Sequence, residues 1–157
     1  MKIDSSKPDN LNGEGLKIAI ILSRFNDSIG QKLFDSTIQT LKEDNIGQVE
    51  IIRVPGALEM PITAQTLAEE NHYDAIICLG VVIKGDTYHF ELVCEQSHRG
   101  IMDVQLKTKT PIIFGIITAY NPEQALKRAE RGKDYAQSAI EMAHLMKELH
   151  SDKKNVE

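Results

Sequence analysis

Four short runs rich in Ile and Val punctuate the chain, at residues 16–22, 49–54, 75–83 and 112–117. They read as continuous rather than as apolar and polar in alternation. Alternation marks a strand with one wet face, whereas a continuous run marks a strand covered on both, as in a parallel sheet. Between the runs the period changes to that of a helix. Ile29, Leu33, Phe34, Ile38 and Leu41 share one face, with Asp27 or Ser28 placed to cap the helix and Gly47 just past its end. Pro61 opens a second pattern, with Ile62, Leu67 and Ala68, which ends near Asn71. Residues 90–107 are long enough for a third helix. Asn121-Pro122 reads as a cap and a first-turn proline, with a short helix over 123–129. A last helix is predicted over 133–150, with Tyr135, Ala139, Met142, Ala143, Met146 and Leu149 on one side.

The order β-α-β-α-β-α-β-α-α predicts an α/β fold, a three-layer α/β/α sandwich around a four-stranded parallel, flavodoxin-like sheet. No internal repeat or linker interrupts it, so residues 1–157 are expected to form a single domain. Residues 1–14 would be an N-terminal arm and residues 151–157 a flexible charged tail. A chain of 157 residues buries roughly 68–70% of the surface exposed on unfolding, enough for a core without staples.

Composition narrows the classes. With 41% hydrophobic and 26% charged residues the chain is of ordinary globular composition. No run reaches the roughly 18–20 apolar residues of a membrane span, and the polar N-terminus has no hydrophobic signal region. A net charge of −5 without a basic stripe excludes the usual footprint of nucleic-acid binding. Cys78 and Cys94 have neither redox nor zinc spacing, which predicts a reducing, cytoplasmic setting.

Open parallel sheets bind ligands beyond the carboxyl ends of their strands. The first strand is followed by Ser23-Arg24-Phe25-Asn26-Asp27. The second leads into Val54-Pro55-Gly56-Ala57-Leu58-Glu59-Met60-Pro61, and the third into Lys84-Gly85-Asp86-Thr87-Tyr88-His89-Phe90. All three segments fall on one edge of the sheet, and they hold the unusual chemistry of the chain. Gly85, Asp86 and Thr87 offer backbone N–H groups and a hydroxyl at a helix start, either an anion cradle or an ordinary capped turn. His89 is the only histidine at a strand end, either a proton carrier near neutral pH or a capping residue. Phe25 either stacks on a planar ring or seals the core. Glu59 either binds hydroxyls or favours a helix dipole. By themselves Phe114 is a core aromatic and Arg128 a surface cation. His72, His98, His144 and His150 read as surface residues, Cys78 as an inert core thiol, and Cys94 as unactivated. The sequence has no dinucleotide or P-loop glycine motif, no HExxH and no metal-ligand cluster.

Taken together, these three segments, Leu79-Gly80-Val81-Val82-Ile83 leading into the third, and Pro111-Ile112-Ile113-Phe114-Gly115-Ile116-Ile117-Thr118 with Glu123-Gln124-Ala125 and Arg128-Ala129, resemble the 6,7-dimethyl-8-ribityllumazine synthase family. The similarity runs from about residue 13 to about residue 149 and keeps the family's motif order. It implies a cytoplasmic transferase of the penultimate step of riboflavin biosynthesis. In that step 5-amino-6-(D-ribitylamino)uracil condenses with 3,4-dihydroxy-2-butanone 4-phosphate through a Schiff base. Phosphate leaves, and ring closure loses water. The resemblance implies no metal and no cofactor. Carried over by position, Phe25 stacks on the pyrimidine; Ala57, Leu58 and Glu59 hold the ribityl chain and ring edge; and Val81, Val82 and Ile83 line the ring pocket. Gly85, Asp86 and Thr87 cradle the phosphate, and His89 moves protons. Phe114 and Arg128 reach in from an adjacent subunit, Phe114 over the ring and Arg128 on the phosphate.

The resemblance also implies a homopentamer, alone or packed into a larger shell, with riboflavin synthase as a partner in the pathway. Two features favour the isolated pentamer: the segment at residues 130–135 is several residues shorter than is usual in the family, and Pro8 in the arm cannot donate to a strand ladder. The same shortening leaves the second phosphate cation open between Arg131, which fits the register, and Lys133. Lys84 is expected to add to a local positive pocket with these cations. Met60 stands where an aliphatic residue is usual, a mild exchange. A flavin- or lumazine-binding module without turnover would not need His89 and Arg128. A flavodoxin-like signalling domain gives Phe25, Glu59 and the Gly-Asp-Thr loop no common use.

Overall fold

A computed structural model describes residues 11–154. The elements in chain order are β1 (Lys17–Ser23), α1 (Asp27–Glu43), β2 (Gln48–Val54), α2 (Met60–Glu69), β3 (Ala75–Ile83), α3 (His89–Thr108), β4 (Ile112–Ala119), α4 (Pro122–Arg128) and α5 (Gly132–Lys154). Single 3₁₀ turns at Ala57–Glu59 and Ala129–Arg131 precede α2 and α5. The four strands are all parallel in the order β2-β1-β3-β4.

The continuous apolar runs have the expected cause. On β1, Ile18, Ile20 and Leu22 enter one core while Ala19 and Ile21 enter the other. On β3, Ala75, Ile77, Leu79 and Val81 face the first core, and Ile76 and Cys78 the second. Leu33 and Leu41 of α1 and Ala136, Ala139, Ile140 and Ala143 of α5 cover the first face. Met60, Ala64, Leu67 and Ala68 of α2, with Ile101 and Val104 of α3, cover the second. Met60 is fully buried, and its Cε would lie 3.0 Å from a β-carbon at Gly80, so a bare backbone on β3 makes room for the longer side chain.

Several boundaries differ from the sequence reading. β2 is not covered on both faces: it is an edge strand, and Glu50, Ile51 and Arg53 are exposed. Asp27 and Ser28 do not cap α1. The cap is Asn26, in the left-handed region at φ 58°, and its side chain is bonded elsewhere. β4 runs two residues further than expected, to Ala119, and α5 is helical through Lys154, so residues 151–154 are not a tail. The arm residues 1–10, Pro8 among them, and residues 155–157 lie outside the described residues. Among the described residues, no helix is long and apolar enough to cross a membrane.

Candidate active site

β2 lies on one side of β1 and β3 on the other, so the sheet reverses its winding between β1 and β3. That switch point is where an open α/β sheet leaves a crevice. A cavity of about 440 Å³ opens there, within the 300–1,000 Å³ usual for small-molecule sites. All three strand-end segments contribute to its wall: Phe25 after β1, Gly56, Ala57, Leu58 and Glu59 after β2, and Gly85, Thr87 and His89 after β3. Val81, Val82 and Ile83 form its floor from β3.

The wall after β1 is held by Asn26. Its left-handed backbone suits asparagine better than most residues, and its amide Nδ2 donates to the Val81 carbonyl at 2.9 Å. That bond ties the β1 turn to the end of β3. Phe25 is 69% exposed, so it does not seal the core. Its ring rests on the turn after β2, where a β-carbon at Gly56 would stand only 3.0 Å from Phe25 Cδ2. The Arg24 N–H, donating to the Val54 carbonyl at 3.0 Å, joins the two turns.

Glu59 ends the 3₁₀ turn, and its Oε2 accepts the Gly56 N–H at 2.9 Å. The carboxylate therefore fixes the turn while also lining the cavity. On the third side, the first turn of α3 abuts the cavity through His89, Phe90 and Val93. The positive end of a 20-residue helix thus lies at the mouth, beside the Gly85 and Thr87 backbone. Thr87 Oγ1 accepts the His89 N–H, at a long 3.4 Å. His89 is exposed, while Asp86 does not line the cavity.

Lys84 departs from the expected role. Its Nζ is 2.9 Å from Glu91 Oε1 in the first turn of α3, so its charge is paired rather than offered to the cavity. Phe114, Arg128 and Arg131 also lie outside the cavity. Phe114, half-buried on β4, packs against His98 with ring centroids 5.8 Å apart. His98 is accordingly no surface residue: its ring is half-buried, and Nδ1 lies 2.7 Å from the Cys94 carbonyl. His144 is half-buried too, with Nε2 2.6 Å from the Asn12 carbonyl. Arg128 ends α4, exposed, with one guanidinium N–H donating to the Gln124 carbonyl. Arg131 is bonded to the Tyr135 hydroxyl, and it offsets part of the upward push that burial exerts on that phenol. Lys133 follows Gly132, which is packed against Leu33, Ser36 and Thr37 of α1, and it too is not part of the cavity wall.

Cys78 is fully buried, and desolvation pushes its thiol up to about 12. Burial, then Glu91 and Glu95, raise the Cys94 thiol as well. Neither is an activated nucleophile. Among the described residues, no cluster of three or more His, Cys, Asp or Glu side chains could hold a metal ion.

The sequence profile of the 6,7-dimethyl-8-ribityllumazine synthase family matches residues 15–147. The chain belongs to that family. It is similar to the 6,7-dimethyl-8-ribityllumazine synthase of Pyrococcus furiosus, 44% identical over 153 residues that cover 95% of this chain and 96% of the relative. A relative of the same name from Paracidovorax citrulli is 45% identical over 149 residues, 93% of this chain and 97% of its own. One from Thermococcus kodakarensis is 39% identical over 141 residues, with 87% and 90% covered. Family membership makes the chain an enzyme of riboflavin biosynthesis that acts on small molecules.

Five cavity residues were not singled out from the sequence: Ser23, Asn26, Gly56, Phe90 and Val93. Asn26 carried a usable signal, because asparagine between a strand and a helix is a common left-handed residue. Phe90 and Val93 gave none, since apolar residues in a helix's first turns are usually core.

Proposed function

We propose that this chain condenses 5-amino-6-(D-ribitylamino)uracil with 3,4-dihydroxy-2-butanone 4-phosphate to give 6,7-dimethyl-8-ribityllumazine. The observation that carries this reading is the convergence of an exposed aromatic, a carboxylate turn, a helix N-terminus and a histidine around one cavity. Phe25 offers a flat apolar face for the pyrimidine. Val81, Val82 and Ile83 present the end of β3 to the ring edge. Ala57, Leu58 and Glu59 bracket the ribityl chain, with the Glu59 carboxylate accepting from its hydroxyls. Gly85 and Thr87 face the phosphate with N–H and hydroxyl donors, Asp86 completes that loop, and the helix dipole favours the negative charge.

The 5-amino group attacks the ketone, and water leaves as the imine forms. Proton loss next to the imine lets the carbon–oxygen bond to phosphate break. The enol left behind takes up a proton at carbon and becomes a carbonyl, which the ribityl-bearing nitrogen attacks, and a second water leaves. Each step moves protons at atoms that His89, exposed at the cavity mouth, is placed to serve. No step changes oxidation state overall, so the reaction needs no redox cofactor. Holding two reactants in register can remove up to about 7–11 kcal/mol of barrier, and proximity supplies the larger part here.

The cavity is completed by a second copy of the chain in a homopentamer. Phe114 of that copy covers the ring, and its Arg128 and Arg131 meet the phosphate. The position of all three outside their own cavity supports this arrangement. Arg131 is favoured over Lys133 because it fits the register counted back from Ser138-Ala139-Ile140-Glu141-Met142. The test is phosphate release from the purified chain. With both substrates, one phosphate should appear per lumazine formed, and with the ketone alone none above the spontaneous rate. Equal release without the amine would make the chain a phosphate lyase and sink the proposal.

A further inference from the structure

The loop that would hold the phosphate is weakly tied down. Gly85, Asp86, Thr87, Tyr88 and His89 are all exposed, and a β-carbon at Gly85 would meet nothing within 4 Å. The bond inside the loop, from the His89 N–H to Thr87 Oγ1, is 3.4 Å long. Yet the loop must present donors to a small anion with sub-ångström accuracy.

A closed contact lies across its two ends. Lys84 is the first residue after β3, and its N–H donates to the Ala119 carbonyl at the end of β4, at 2.9 Å. Its side chain spans the loop to Glu91 Oε1, at 2.9 Å. The ammonium also lies 5.5 Å from the Tyr120 ring centroid and 6.0 Å from that of Phe90, and those two rings are 6.1 Å apart. Phe90 is itself a cavity wall. Side-chain exposure of the pair is 42% for Lys84 and 31% for Glu91, so the charges are partly shielded from water. An isolated surface ion pair holds little. A cation shared between a carboxylate and a ring on the first turn of α3 and a second ring just past β4 has one preferred position.

We infer that Lys84 and Glu91 are positioning residues, a staple that closes residues 85–90 and sets Thr87 and His89 against the cavity. Lys84 is not itself a phosphate ligand. This rests on the phosphate-binding reading of the loop. Two roles for Lys84 predict opposite results when Glu91 is neutralised. If Lys84 were a ligand restrained by Glu91, freeing it would strengthen anion binding. As one arm of a staple, it loses its anchor and the loop loosens.

The experiment measures inorganic phosphate binding to the full-length chain by calorimetry, together with the KM of each substrate. Glu91→Gln and Lys84→Gln should each weaken phosphate by about 5- to 10-fold. The KM of the phosphorylated ketone should rise in step, while that of the uracil stays within about twofold. Lys84→Arg, which keeps the charge and the ring contacts, should restore binding. Tyr120→Leu provides a second route if the charge variants fold poorly, and should weaken phosphate in the same direction. Tighter phosphate binding in Glu91→Gln, or no change in either charge variant, would overturn the inference. A wild-type chain that binds phosphate but does not condense the two substrates would overturn the proposed reaction and leave the staple to be judged on the phosphate data. A wild-type chain that binds no phosphate would overturn both.

Discussion

Phe25 and Glu59 each keep an exposed surface at the cavity while being fixed from behind. Phe25 lies on the bare backbone of Gly56, and Glu59 accepts the Gly56 N–H. A substrate thus meets groups whose positions are set before it arrives, which is where proximity catalysis saves entropy. His89 is less constrained, held through its backbone N–H. Replacing His89 with Ala should lower kcat by up to about 10²-fold, the low end for general acid–base help. Steady-state kinetics would check this, and a loss far beyond that range would mean that proton transfer rather than proximity carries the rate. His89 and Phe25 both line the cavity, and both follow strand ends, where position alone is informative. The sequence reading misjudged His98, whose polar neighbours on a helix gave no hint that its ring packs on Phe114.

At the scale of elements, the strands were legible because a two-faced strand writes a continuous apolar run. β1 and β3 divide their side chains between two cores as that pattern requires. β2 was less legible. Its Ile and Val content resembles that of the inner strands, but edge position is decided by topology, which one strand's sequence does not encode. The caps were mixed. Asn121 accepts the Gln124 N–H at 2.9 Å, as the Asn-Pro signal predicted, whereas Asn26 displaces the expected Asp27 or Ser28. The end of α5 was missed because charged residues such as Asp152 and Lys153 read as solvent tail, although charge is compatible with an exposed helix. Asn121 bears on the proposed phosphate site because α4 carries Arg128 at its far end. Asn121→Ala should cost about 0.5–2 kcal/mol of stability, measured by denaturant unfolding, and should raise the KM of the phosphorylated ketone more than that of the uracil. Equal rises in both would separate α4 from the phosphate.

At the scale of the whole molecule, one protomer provides a cavity with an aromatic, a carboxylate turn and a helix N-terminus, but with its nearest loop cation already paired. The free positive charge of Arg128 and the ring of Phe114 lie elsewhere on the same chain. The proposed site shared between copies would resolve that imbalance, and would let a small domain enclose two substrates. Sequence periodicity is silent on such a division, since nothing in a strand or helix pattern says which protomer a side chain serves; the proposal comes from the family resemblance. Subunit mixing tests it. Arg128→Ala and His89→Ala chains, each impaired alone, should regain activity when unfolded and refolded together, with about a quarter of sites intact at random mixing in a cyclic assembly. Activity no higher than the mean of the two parents would place His89 and Arg128 in the same protomer's site.

The most direct test is the rate of lumazine formation itself. The amine and ketone condense slowly unaided, so the measurement is the initial rise of lumazine absorbance with both substrates present, at several concentrations of the purified chain. The rate should increase in proportion to protein and saturate with each substrate. A rate that stays at the spontaneous value whatever the protein concentration would contradict the proposed reaction.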